Sequence, residues 1–295
     1  MIRTFDHREF TPELLRERKR ESVTVVLPAR EVADTIGPIV DALVGLGDLI
    51  DQVLVVDAAS EDGTAEIARR HGAEVHQESA LLPEFGPALG KGDAMWRALS
   101  VARGELVVYL DSDTREFPAH FATGMLGPLI CRDWVEFVKG FFRRPYINAA
   151  GETMPLDGGR VTELTARPLL SAFYPELAAF AQPLAGEVAA RRAVFEQLPF
   201  ATGYSIETSM LLHARDLVGL EAMAQVDLEQ RFNRHQPLPQ LAPMAYAVLE
   251  VILERLRRDG RLLDDHVPPL QTADGRLVPV ELIERPPYAS LRTHA

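Results

Sequence analysis

Residues Leu106 to Asp113 read LVVYLDSD, a run of apolar and β-forming residues that stops at two carboxylates, Asp111 and Asp113. An uninterrupted apolar run of this kind suits a strand buried on both faces of a parallel sheet, and open α/β sheets place their ligands at the carboxyl ends of such strands. Two acids one residue apart project to the same side of an extended chain, where they can share a divalent cation. The pair can equally cap the following turn, so by itself it is a weak signal of a metal-diphosphate site.

Working outward, strand-like and helix-like segments alternate. Val23 to Leu27, Gln52 to Val56, Glu74 to His76 and Leu106 to Leu110 read as strands. Asp34 to Leu46, Thr64 to His71 and Gly92 to Ala102 have helical spacing. Repeated βα units predict an α/β fold with a doubly wound sheet. Beyond Asp113 the pattern loosens: Val135 to Phe142 is a further strand, Gly151 to Gly159 a Gly-rich loop, and Val161 to Phe173 and Glu187 to Gln197 are expected to be helical. Pro239 to Arg258 is a longer amphipathic helix, followed by a Pro-rich, charged arm. Its stripe of Leu241, Met244, Val248, Val251 and Ile252, with Val278, Val280 and Leu282 beyond, suggests a homodimer interface.

Composition narrows the function classes. With 47% hydrophobic residues in 295, the chain can bury an enzyme-sized core. Its 43 acidic against 31 basic residues give a net charge of −12, which disfavours nucleic acid or an anionic membrane as main partner. An anionic substrate must therefore meet specific Arg or Lys side chains. The single cysteine, Cys131, excludes an internal disulfide and fits a cytoplasmic location, as does the polar N-terminal segment. No stretch approaches the roughly 18 apolar residues of a membrane helix.

Polar groups cluster between the elements. Pro28-Ala29-Arg30-Glu31 follows the first core strand and Asp57 to Thr64 the second, so both loops belong on the sheet edge that carries Asp111 and Asp113. Lys91 lies between two glycines at a helix start, placed for a phosphate or a base edge, although GxxxxGK[ST] is absent. Gly158, Gly159, Arg160 and Thr162 offer backbone N–H groups, a guanidinium and a hydroxyl to one anion. Glu207, in an apolar helical segment, needs partners that sugar hydroxyls could supply, and His235 lies in a loop rich in metal- and phosphate-capable groups.

In order, VVLPAR (25–30), D-x-x-S-x-D-x-T (57–64), LGKGDAMWRAL (89–99), VVYLDSD (107–113), VKGFFRRP (138–145), GGRVTELTARPLL (158–170), QPLAGE (182–187), FATGYSIE (200–207) and AQVDLEQRFNRHQPL (224–238) resemble the glucosyl-3-phosphoglycerate and mannosyl-3-phosphoglycerate synthases. The resemblance spans about residues 20 to 250. It implies a GT-A, Rossmann-like nucleotide-sugar transferase fold over 1–238, with a donor half at about 20–115 and an acceptor half at about 116–238, and a helical C-terminal extension over 239–295.

The resemblance also implies roles. Pro28, Ala29, Glu31, Asp57, Lys91, Asp111, Ser112 and Tyr204 match donor-binding positions, and Gly159, Arg160 and Thr162 match the cradle for the phosphate of 3-phosphoglycerate. Asp113 and His235 would hold Mg²⁺ or Mn²⁺, although a gapless register puts Asn233 at the family's histidine. Leu184 and Glu207 fall with Asp113 at the reacting centre, where Glu207 suits a hydroxyl better than a nucleophilic role. The implied reaction is retaining transfer of glucose from UDP-glucose or GDP-glucose to the C2 hydroxyl of D-3-phosphoglycerate. A mannosyl version with GDP-mannose, a sugar-1-phosphate nucleotidyltransferase and a non-catalytic nucleotide-sugar binding protein are the alternatives.

Overall fold

The computed structural model describes residues 2–144, 146–147, 153–154, 159–232, 237–262, 270–271, 277–278 and 282–294. Eight strands form the main sheet: β1 (Arg3–Asp6), β2 (Val23–Ala29), β3 (Gln52–Asp57), β4 (Glu74–Gln77), β5 (Leu106–Tyr109), β6 (Phe137–Arg143), β7 (Val188–Arg191) and β8 (Met223–Gln230). Their order is β1-β8-β6-β7-β5-β2-β3-β4. All neighbours are parallel except β7, which runs antiparallel to both β5 and β6.

The central strands are buried on both faces, and the two-residue period sorts their side chains between two cores. Val23, Val25 and Leu27 of β2 and Leu106 and Val108 of β5 point into one, with α1 (Pro12–Arg18), α2 (Ile36–Val44), α3 (Thr64–Arg70) and α5 (His120–Cys131). Val26, Val107 and Tyr109 point into the other, with α4 (Lys91–Ala98), α6 (Arg167–Phe173), α7 (Arg192–Gln197), α8 (Ile206–Val218) and α9 (Leu238–Arg258). From β2 the chain winds outward to β3 and β4, then returns to place β5 on the other side of β2. That reversal is the topological switch point, and it opens a crevice at the carboxyl ends of β2 and β5.

The expected βα alternation is present from Val23 to Tyr109. The helix expected over Glu187 to Gln197 is a misreading of its first half: Val188–Arg191 is β7, and only Arg192–Gln197 is helical. Val188 and Ala190 enter one core while Ala189 enters the other, so small side chains let this segment fill a central slot that alanine's helix preference disguised. Most of the Gly-rich loop expected over 151–159, together with Val280, lies outside the described residues.

The C-terminal region folds back onto its own chain. In α9, Val251, Ile252 and Leu256 pack into this chain's own core, while Leu241, Met244 and Val248, the other part of the stripe expected to meet a second copy, turn toward a cleft of the same chain. Downstream, Glu284–Arg285 pairs antiparallel with Phe200–Ala201, and Trp96 Nε1 donates to Pro286 O at 2.9 Å. Beneath them Asp93, fully buried, meets Arg97 at 3.0 Å and Arg285 at 2.7 Å. Truncating the acid would leave two guanidinium groups without their counter-charge in a dry site. Asp93→Ala is expected to cost about 3–5 kcal/mol, read as a lowered urea midpoint, with Asp93→Asn losing less; a loss below ~1 kcal/mol would show that the tail is held otherwise.

Candidate active site

A cleft of about 780 Å³ opens at the switch point. One wall carries Pro28, Ala29, Arg30, Ala58, Ala59, Glu78, Lys91, Asp111, Ser112 and Asp113; Gly159, Arg160, Thr162, Leu184, Tyr204, Glu207 and Arg231 complete it. Leu241, Met244 and Val248 of α9 add an apolar side. Eleven of the expected site residues are thus brought together: Pro28, Ala29, Lys91, Asp111, Ser112, Asp113, Gly159, Arg160, Thr162, Leu184 and Tyr204, with Glu207 a twelfth.

Charge is arranged in a continuous network that runs from buried Arg231 and Glu187 through half-buried Asp111, Lys91 and Glu207 to exposed Asp113. Lys91 Nζ bridges Asp111 at 2.5 Å and Glu207 at 2.9 Å. Arg231, 2% exposed, pairs with Asp111 at 2.6 Å, with Glu187 at 3.0 Å and with Asp113. Burial opposes the charge on Lys91 and Arg231, but the surrounding carboxylates outweigh it and hold both well above their ordinary ranges. Burial likewise would raise Asp111, yet Lys91 and Arg231 overcome it and hold the carboxyl well below the usual range. Glu187 differs: burial prevails over Arg231 and pushes it up.

Backbone geometry sets this network. Leu110 N–H donates to Val26 O at 3.1 Å, and the Ser112 hydroxyl donates to Pro28 O at 2.6 Å, fastening the end of β5 to the end of β2. Ser112 therefore lines the cleft with its hydroxyl already committed. Gly186 explains the glycine of QPLAGE: a Cβ there would lie 2.3 Å from an Asp111 oxygen and 2.5 Å from Lys91 Nζ. On the facing side Gly159, at φ +87°, turns the chain into a π-helical turn over Thr162–Ala166 that leads into α6.

Two expected donor contacts stand elsewhere. Glu31, at φ +52°, turns its carboxylate away to accept from Glu61 N–H at 2.7 Å, and Arg30 lines the cleft in its place. Asp57 is fully buried beneath Ala58 and Ala59; one oxygen accepts from Ser60 N–H at 3.2 Å and Gln77 Nε2 at 2.7 Å. His235 and Asn233 lie outside the described residues.

Sequence reading missed four charged members: Arg231, Glu187, Lys139 and Arg144. The partners of Arg231, Glu187 and Lys139 are distant in sequence, so spacing carried no sign of them; the unusual charge inside VKGFFRRP and QPLAGE could have pointed to Lys139, Arg144 and Glu187, and Arg231 opens the stretch already noted for its metal- and phosphate-capable groups. Arg144 lines the cleft, with its guanidinium 5.0 Å over the Phe142 ring, and burial lowers its pKa. Lys139 is buried, donates to Ala185 O, and is pushed down to about 8, chiefly by burial.

The four carboxylates Asp111, Asp113, Glu187 and Glu207 thus face four cations, Lys91, Lys139, Arg144 and Arg231. Asp111 and Asp113 already present oxygens to one shared cation, the guanidinium of Arg231, and such an oxygen pair fits Mg²⁺ or Mn²⁺. Because burial holds Lys139 at about 8 in the folded chain, below the 10.5 ordinary for a lysine, the unfolded chain binds more protons between about pH 8 and 10.5. Stability conferred by this residue therefore rises with pH across that window. Urea melts of wild type and Lys139→Met should diverge in favour of wild type from pH 8 to pH 10; parallel profiles would contradict the assignment.

The model of glycosyl transferase family 2 matches residues 24–148. A glucosyl-3-phosphoglycerate synthase of Petrotoga mobilis is 38% identical over 98% of this chain and 94% of its own length. The crystal structure of a mannosyl-3-phosphoglycerate synthase from Rubrobacter xylanophilus is 49% identical, with a TM-score of 0.89 over 98% of this chain and 97% of that one. A glucosyl-3-phosphoglycerate synthase from Mycobacterium tuberculosis, crystallised with Mn²⁺, UDP and glucosyl-3-phosphoglycerate, is 38% identical, with a TM-score of 0.87 over 99% of this chain and 100% of that one. With a relative this similar along nearly its whole length, the chain belongs to the glucosyl-3-phosphoglycerate and mannosyl-3-phosphoglycerate synthase family.

Proposed function

We propose that this protein is a metal-dependent retaining glycosyltransferase that moves glucose from a nucleoside diphosphate glucose, UDP-glucose or GDP-glucose, to the C2 hydroxyl of D-3-phosphoglycerate. The observation that carries the reading is one cleft lined both by the Asp111, Asp113 and Lys91 group and by the Gly159, Arg160 and Thr162 turn. The first suits a diphosphate, the second the phosphate of the acceptor.

In this reading Pro28 and Ala29 border the base, Lys91 meets the diphosphate, and Asp113, with His235, would hold Mg²⁺ or Mn²⁺. When bound, that cation neutralises charge on the departing diphosphate. Glu207 is already paired with Lys91 at 2.9 Å, which suits a carboxylate that orders sugar hydroxyls rather than one poised to attack. Leu184 and Tyr204 border the sugar, and the leaving diphosphate accepts the proton of the acceptor hydroxyl. Arg160 fixes the acceptor, so that positioning supplies much of the rate.

The 49% identity to a mannosyl-3-phosphoglycerate synthase favours GDP-mannose as a second reading. No helix among the described residues is long and apolar enough to cross a membrane, and the enzyme is proposed to work in the cytoplasm. A homodimer through the C-terminal region belongs to the same proposal; a 32.7 kDa particle by light scattering refutes it.

Crossing UDP-glucose, GDP-glucose and GDP-mannose with 3-phosphoglycerate tests the reaction: product is expected with a glucose donor and Mg²⁺ or Mn²⁺, and none from Asp113→Ala at an unchanged melting temperature. Failure of every donor with folded wild type would leave a binding protein. Arg160→Ala is expected to raise the Michaelis constant for 3-phosphoglycerate at least about tenfold, or ~1.4 kcal/mol, with donor affinity by calorimetry barely changed. Collapse of donor binding instead would move Arg160 to the nucleotide side.

A further inference from the structure

Away from the cleft, three side chains converge where β1 ends and β8 runs out. His7 opens the short 3₁₀ turn His7–Glu9 after β1, His120 is the first residue of α5, and Glu229 lies near the end of β8. One nitrogen of each imidazole and a carboxylate oxygen of Glu229 lie within 4.8 Å of one another. The rings are stacked, with centroids 3.9 Å apart and planes inclined by 23°.

Each ring is already oriented through one of its nitrogens. His7 Nδ1 is 3.1 Å from Asp227 O, and His120 Nε2 is 3.1 Å from Leu228 O. A carbonyl only accepts, so those nitrogens carry the protons of the neutral rings. His7 Nε2 and His120 Nδ1 then hold lone pairs, and neither has a hydrogen-bond partner among the described residues. A histidine that donates one N–H to a backbone carbonyl and leaves the other nitrogen bare has the support typical of a metal ligand.

Glu229 is placed by strain. It sits at φ +73° where β8 shifts register against β6 between Asp227 and Gln230, with its N–H held by Asp227 Oδ1 at 2.8 Å. A non-glycine residue in the left-handed region is uncommon and persists where its surroundings fix it. Its side chain is exposed and makes no hydrogen bond among the described residues, leaving both oxygens available.

We infer that His7, His120 and Glu229 form a second divalent-metal site, separate from the sugar-transfer centre. Two imidazoles and one carboxylate favour a borderline ion such as Zn²⁺, Co²⁺ or Ni²⁺ over Mg²⁺, and the exposed side leaves a fourth position for water. Bound there, the ion ties β1, α5 and the end of β8 together, two residues before Arg231.

Co²⁺ titrated into the full chain under saturating Mg²⁺, followed by visible absorption, tests the site. One equivalent is expected to give the intense bands of a low-coordinate ion and to persist in Asp113→Ala. Glu229→Gln and His120→Gln are each expected to weaken it at least about tenfold. Zn²⁺ should raise the melting temperature of wild type but not of these variants. Glu229 is exposed, so its substitution keeps the test open even where His120→Gln fails to fold. Wild-type Co²⁺ binding in a folded Glu229→Gln, or no Co²⁺ band beyond the one lost in Asp113→Ala, overturns the proposal.

Discussion

The guanidinium of Arg231, almost out of water and shared among Asp111, Asp113 and Glu187, is the constraint around which the cleft is arranged. A buried charge is tolerated when it is paired, and here three carboxylates take the two terminal nitrogens of the guanidinium while its Nε has no partner among the described residues. Its three partners come from the end of β5 and the start of β7, while Arg231 itself follows β8. Satisfying one side chain thus fixes where three strand ends stand relative to one another. The reversed direction of β7 is part of the same solution, because it delivers Glu187 to the edge where the parallel strands finish.

From that anchor the charge pattern spreads to the facing wall. Asp111 hands its second oxygen to Lys91, and Lys91 reaches Glu207 at the start of α8. The network is therefore preorganised before any ligand arrives, and little reorganisation is needed when a charged group enters, which is the condition under which fixed dipoles and charges act most strongly. Gly186 belongs to this logic as an absence of bulk: any side chain there would occupy the space of the Asp111 and Lys91 pair.

What the sequence disclosed follows from the range of the interactions involved. The strands β2, β3, β4 and β5 and the helices between them are set by local periodicity, and Asp111, Asp113 and Lys91 sit at element boundaries that the same periodicity marks. The Gly159, Arg160 and Thr162 group stood out as a short motif of glycine, guanidinium and hydroxyl, and in the structure Gly159 takes the positive φ that suits glycine. Arg231 escaped as a site residue because its partners Asp111 and Glu187 are 120 and 44 residues away. Strand β7 escaped because Val-Ala-Ala is equally at home in a helix, and tertiary context decided. Glu31 looked like a base-reading acid by position, but its left-handed backbone turned it toward Glu61.

The C-terminal extension is joined to the chemistry through one acid. Asp93 accepts from Leu89 N–H at 3.0 Å, and it is also the acid that binds Arg285. Leu89 immediately precedes the Gly90-Lys91-Gly92 turn, so the contact that holds the tail also sets the segment from which Lys91 reaches Asp111. On the other side α9 contributes Leu241, Met244 and Val248 to the cleft itself. A boundary drawn at residue 238 therefore falls beside the cleft: the helix that follows it lines the cleft, and the acid that holds the tail also holds the segment leading into Lys91.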